Sequence, residues 1–181
     1  SFIGYAAAFP LLTRTQFPEV DALQFVFLGP LVGALSRAGT GWISDRFGGG
    51  RVTLWTFVLM IAGTAGVIWF LGMKDQPGAF WGFFAMFMVL FFATGIGNAS
   101  TFQMIPVIMR TVIDRTAPAG LAPAERLRQA ERESAAIIGF TSAIAAYGAF
   151  FIPKAYGTSI AMTGSAVGAL WGFLIFYVLC V

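Results

Sequence analysis

The sequence predicts an all-α, polytopic helical membrane protein, and three observations predict it. Hydrophobic residues make up 58% of the chain and charged residues only 10%, with a mean hydropathy of +0.81, a balance that no ordinary soluble domain shows. Apolar stretches long enough to cross a bilayer recur along the chain, separated by polar turns. All eight acidic residues fall in those turns or at the ends of the stretches.

Six spans follow in order. Residues 1–12 are the tail of a first span whose beginning is missing, so that span is incomplete. After the turn TRTQFPEVD, residues 22–43 form a second span that carries Arg37. The glycine-rich turn DRFGGGR reverses the chain, and residues 52–71 form the third span. Residues 79–108 form the fourth, longer than the roughly 20 residues a bilayer needs, so it tilts or protrudes. Residues 110–133 are the one strongly charged segment, with PAERLRQAERESAA helical by its Ala, Leu, Glu and Arg content. Residues 134–152 are the fifth span, IPKAYGTSIAMTG a loop, and 165–181 the sixth.

Charge sets the orientation. Seven basic residues, Arg46, Arg51, Arg110, Arg115, Arg126, Arg128 and Arg132, lie in one alternate set of loops, against Arg14, Lys74 and Lys154 in the other. The positive-inside rule therefore places loops 45–51 and 110–133 in the cytoplasm of a cell inner (plasma) membrane protein. Trp42 and Trp55 flank the cytoplasmic hairpin while Trp69 and Trp81 flank the outer one, as an interfacial belt does. The net charge of +3 comes from these loops and does not point to nucleic acid.

The second span holds the chemistry. Gly29, Gly33, Arg37 and Gly41 repeat every four residues and form one ridge on a helix. Its glycines admit a neighbouring backbone, so Arg37 is expected to face protein rather than lipid. Arg37 lies seven residues before Ser44, about 10 Å along the axis. Helical side chains lean toward their N-terminus, which tilts the guanidinium back to the membrane centre. A permanent charge at that depth marks a substrate or ion path by default.

Two more spans carry polarity. Thr94, Asn98 and Thr101 share a face of the fourth; Asn98 serves either as glue between helices or as lining of a substrate path. On the fifth, Gly139, Ser142 and Ala146 share a face and Gly148 lies about 180° away at 100° per residue, which predicts close packing on both sides. Ser142 either donates to a substrate oxygen or bonds its own backbone. Enzymatic readings fare badly. The chain has no His and a single Cys, Cys180, so acid–base or triad machinery, a Cys/His metal site and an internal disulfide are all excluded. No cofactor is expected. The lack of carboxylates inside the spans counts against a proton relay in this portion.

The hairpin Gly41-x-x-x-Asp45-Arg46-x-Gly48-x-x-Arg51 resembles the loop signature of the major facilitator superfamily, found between the second and third helices of each six-helix half. Three longer stretches, LGPLVGALSRAGTGWISDRFGGGRVT, GIGNASTFQMIP and GFTSAIAAYGAFFIPKAYGTSIAMTGS, are similar to the C-terminal half of its nitrate/nitrite porters of the NarK type. The resemblance covers most of the chain apart from the charged loop. It implies half of a major facilitator, a six-helix bundle whose N-terminal half is absent. It further implies that Arg37 holds the anion, that Gly139, Ser142 and Gly148 belong to the signature helix beside it, and that Gly41, Asp45, Arg46, Gly48 and Arg51 form a conformational latch. The expected partners are nitrate and nitrite, the lipid bilayer and the missing half. A planar guanidinium fork suits such planar anions. A buried cation without a buried carboxylate favours nitrate/nitrite antiport by alternating access over proton-coupled nitrate symport, or over a facilitator for another organic anion or drug.

Overall fold

The computed structural model describes residues 2–118 and 120–181, the side chains of residues 2, 3 and 22 excepted. Seven α-helices and no strand occur among the described residues: α1 Phe2–Gln16, α2 Leu28–Gly39, α3 Gly41–Phe47, α4 Gly49–Gly72, α5 Ala79–Thr116, α6 Pro123–Thr163 and α7 Val167–Leu179, with a 3-10 turn at Ala22–Gln24. Three of them, α4, α5 and α6, are long and apolar enough to cross a membrane.

The helix boundaries differ from the expected ones in three places, each with a local cause. Residues 22–43 are not one helix. α2 begins at Leu28, which puts Pro30 in the first turn where a missing N–H costs nothing. It stops at Gly39, because both the backbone N–H and the hydroxyl of Thr40 bond the Ser36 carbonyl, and Thr40 leaves the helical region at φ −108° and ψ 4°. The chain restarts at once as α3.

The turn expected over residues 45–51 contracts to a single residue. Asp45 and Arg46 end α3, Arg51 sits in the first turn of α4, and Gly48 alone reverses the chain at φ +84°, where a side chain would be strained. The loop expected over IPKAYGTSIAMTG is helical. α6 runs through Pro153 and Gly157 to Thr163 and ends on Gly164 at φ +70°, a left-handed glycine stop. Membrane helices tolerate an interior proline, and α5 does the same at Pro106.

The centre of the fold is α5. Phe80, Phe83, Phe87 and Phe91 recur at helical spacing on one face and are buried; Phe83 and Phe87 stand 4.9 Å apart between ring centroids, and Phe87 meets Phe9 of α1 at 5.3 Å and Tyr5 at 6.0 Å. Such offset and edge-on pairs add to the area they bury. The opposite side of α5 packs on α4 through small residues: a Cβ on Gly63 would meet Leu90, and one on Gly97 would meet Thr56 at 2.8 Å. Thr53 and Ser100 join the two helices by a hydroxyl bond of 2.9 Å. Outward faces are apolar, with Trp42, Trp55, Trp69 and Trp81 all exposed.

Candidate functional site

The site is built on the seam between α2 and α5. Gly29 lies against the Phe91 ring, and a Cβ on Gly95 would stand 2.5 Å from the Gly33 carbonyl oxygen. The two backbones therefore touch, as the glycine spacing predicts. The buried line of α2 is Gly29, Gly33 and Ser36, not the ridge of four-residue steps. Each such step advances about 40° round a helix at 100° per residue, so Arg37 lies about 80° from Gly29, while Ser36 lies within about 20° of it. Ser36 is held in the seam by donating to the Gly33 carbonyl at 3.0 Å. Arg37, next along the chain, is turned out of the seam and exposed.

Arg37 is turned into a cavity of about 540 Å³, walled by α4, α5, α6 and α7 as well as by α2. Its guanidinium carbon lies 5.4 Å from the centre of the Phe102 ring, an aromatic contact that favours a cation. Among the described residues Arg37 makes no ion pair, and no Asp or Glu lines the cavity. The charge is thus offset by a ring face alone.

The polar side chains around it differ in how far they are committed. Thr56, Thr94 and Thr101 line the cavity but donate to the carbonyls of Val52, Phe91 and Gly97 on their own helices. Asn98 also lines it, and its buried Oδ1 has no hydrogen-bond partner. Ser142 reaches it from α6 with a hydroxyl that makes no hydrogen bond among the described residues. The expected alternative, a serine bonded to its own backbone, is what the adjacent Thr141 adopts, donating to Ile137 at 2.7 Å. A small anion entering here would find donors in one guanidinium, one free hydroxyl and the Asn98 NH2 group, whereas the orphaned Asn98 Oδ1 is an acceptor and gives it nothing.

The expected site residues therefore divide. Arg37, Asn98 and Ser142 share one cavity, as do Thr94 and Thr101. Gly139 does not line it; the residue is exposed, and no described atom would come within 4 Å of a Cβ there. Gly148 meets only Ile152 of its own helix, at 3.8 Å. The close packing expected on both sides of this helix is absent at Gly139 and Gly148 among the described residues, because Ser142 and Ala146 face the cavity rather than another helix. In the hairpin, Gly41 lies against the Gln103 amide, the movable end of a long side chain. Asp45 is exposed and makes no hydrogen bond or ion pair among the described residues. Arg46 lies over Phe47 at 5.8 Å.

Phe102 and Tyr177, which also line the cavity, are residues the sequence reading missed. Nothing separates them from the chain's many packing aromatics until the helices are assembled; the four-residue spacing of Phe102 from Asn98 is the one signal that could have placed it near the polar face.

No protein-family profile matches the chain. It is similar to the nitrate/nitrite transporter NarU of Salmonella typhimurium, 49% identical over 183 aligned positions that cover the whole of this chain and 39% of the relative. NarU of Escherichia coli K12 matches with the same identity and coverage. The probable nitrate/nitrite antiporter NarK2 of Thermus thermophilus is 32% identical over 181 positions, covering 98% of this chain and 36% of the relative. The chain thus spans about two fifths of the length of the curated relatives it matches. These relatives are named as transporters, not enzymes. Over nearly its whole length, the chain is therefore a relative of the nitrate/nitrite transporters NarU and NarK2.

Proposed function

We propose that the chain is the C-terminal half of a nitrate/nitrite transporter of the inner (plasma) membrane, one that exchanges the two anions by alternating access, with Arg37 as the anion's ligand. The single observation that carries this reading is a guanidinium facing a 540 Å³ cavity with no carboxylate on its walls, in a chain related to NarU and NarK2. Asn98 and Ser142 supply further hydrogen bonds to the anion, and a second six-helix half supplies the opposite wall. Loops 45–51 and 110–133 face the cytoplasm, where Asp45, Arg46 and Arg51, with Gly41 opening α3 and Gly48 reversing the chain, act as the latch between conformations.

The exchange step follows from charge. An empty site leaves Arg37 unneutralised in a low dielectric, so reorientation is slow until an anion occupies it. The full-length protein in proteoliposomes is expected to take up labelled nitrate only when nitrite or nitrate is trapped inside. Uptake into empty vesicles that tracks an imposed proton gradient would instead establish proton-coupled symport.

Phe102 gives a finer test. An aromatic ring under a guanidinium is worth about 0.5–2 kcal/mol. Phe102→Leu is therefore expected to raise the KM for nitrate exchange by about two- to thirtyfold, whereas Phe102→Tyr, which keeps the ring, stays near the parent value. Equal losses in both variants would show that shape alone matters at this position.

A further inference from the structure

Lys154 is a second cation at membrane depth, and the Arg37 cavity does not use it. The sequence puts it in an outer loop, but α6 runs through it as helix. Its depth follows from its neighbours. Tyr5 of α1 meets Phe87 and Phe91 at 6.0 and 6.5 Å between ring centroids, and a Cβ on the adjacent Gly4 would press on Ile152 of α6. Phe87 and Phe91 lie six and ten residues inside Trp81 on α5, roughly 9 and 15 Å from the outer tryptophan belt. Lys154, two residues farther out than Ile152, therefore lies about 10 Å inside that belt. The inner belt at Trp55 is level with Gly97, which faces Thr56, about 24 Å from Trp81 along α5.

The side chain does not turn back to the nearer water. Its ammonium stands 5.6 Å from the centre of the Phe150 ring, one turn toward the membrane middle. It is exposed within the chain and makes no ion pair or hydrogen bond among the described residues. Lys154 lines a cavity of about 500 Å³ between α6 and α7, with no Asp or Glu on its walls. Thr158, one turn farther out, lines the same cavity, and its hydroxyl makes no hydrogen bond among the described residues. Ser159 and Thr163 also line it but donate to the Ser165 carbonyl. An ammonium at this depth is costly in lipid and marks an ion path by default.

One row of α6 joins the two cavities. Ser142, Ala146, Phe150, Lys154 and Thr158 step by four residues, so each is a neighbour of the next. Ser142 and Ala146 line the Arg37 cavity, and Lys154 and Thr158 line the outer one. The row drifts about 40° per step, which carries it round α6 from the first cavity to the second. We propose that Lys154 and Thr158 form a second binding site for a small monovalent oxyanion, on the same route as Arg37 and nearer the outer face. The proposal rests on the nitrate/nitrite transport stated above. The ammonium supplies charge and the hydroxyl a donor. A point charge offers no planar fork, so the anion is held more loosely here than at Arg37 and passes on to the outer water.

Sided counterflow of labelled nitrate, with the full-length protein in proteoliposomes, tests the site. Lys154→Gln is expected to raise the KM at the face onto which the outer end of α6 opens by about tenfold, the size of one charge-assisted hydrogen bond. The KM at the opposite face and the melting temperature stay at the parent values. Lys154→Arg keeps the outer KM, and Thr158→Val raises it less than Lys154→Gln does. An unchanged outer KM in Lys154→Gln, with the parent exchanging nitrate, overturns the second site and leaves Arg37 standing. A parent that exchanges no nitrate overturns the transport reading and this site with it. A loss at both faces with a lowered melting temperature assigns Lys154 to a fixed carboxylate. A loss seen in vesicles containing phosphatidylglycerol but not in pure phosphatidylcholine assigns it to a lipid phosphate. Either result overturns the proposal.

Discussion

Arg37→Lys is expected to reduce nitrate and nitrite exchange by about ten- to hundredfold while leaving the protein folded. Lysine keeps the charge but loses the planar fork, so a two-point contact with a planar anion becomes a one-point contact. One charge-assisted hydrogen bond is worth about 1.5–3 kcal/mol, which converts to that range at about 1.4 kcal/mol per decade. The ring contact with Phe102 also weakens, because an ammonium stacks less well than a guanidinium. The measurement is counterflow of labelled nitrate in proteoliposomes, with the melting temperature as the folding control. A lysine variant that transports as fast as the parent would remove Arg37 from the anion's path and leave it a structural charge.

Gly95→Ala is expected to be the most damaging single-methyl change in the chain. A Cβ at this position falls 2.5 Å from the Gly33 carbonyl oxygen and 3.2 Å from the Arg37 amide nitrogen, and it overlaps the Ser36 hydroxyl. Two of these obstacles are backbone, so no rotamer change relieves them; α2 has to move away from α5. Overpacking of this kind costs about 1–3 kcal/mol, and here it also displaces the helix that positions Arg37. Expression level and melting temperature should both fall, and any folded fraction should show raised KM as well. Gly139→Ala is the matched control: a Cβ there meets nothing described, so it should be stable. A Gly95→Ala protein as stable as the control would mean that the two helices sit farther apart than this.

Much of this was legible before any coordinates. Apolar segment lengths gave the membrane class, and the charge of Arg37 within an apolar stretch marked the site. The spacing of Thr94, Asn98 and Thr101 put three side chains on what proved to be one cavity wall. Two kinds of information were not legible. Chain direction at Pro153 and Gly157 could not be read locally, because a proline that ends a helix in water is tolerated where neighbouring elements and lipid leave no better alternative. Small residues gave close contact but not its partner. Gly33 and Gly95 meet, while Gly139 and Gly148 meet almost nothing, and nothing in their spacing distinguishes the two pairs. The drift of 40° per four-residue step was computable, yet only the neighbour's position shows which phase of the helix it selects, and that phase left Arg37 outside the seam rather than within it.

Thr40 divides the arginine-bearing segment into two rigid pieces. The carbonyl of Ser36 takes both protons of Thr40, while the Thr40 carbonyl accepts from Ile43 in a tighter three-residue step, so the joint is bonded on both sides but leaves the α-helical pattern. Movement of the short piece bearing Asp45 and Arg46 can then be absorbed at this joint. In the proposed transport cycle, such a joint would let the guanidinium keep its aim while the hairpin shifts, much as a wrist lets a hand stay level on a turning arm.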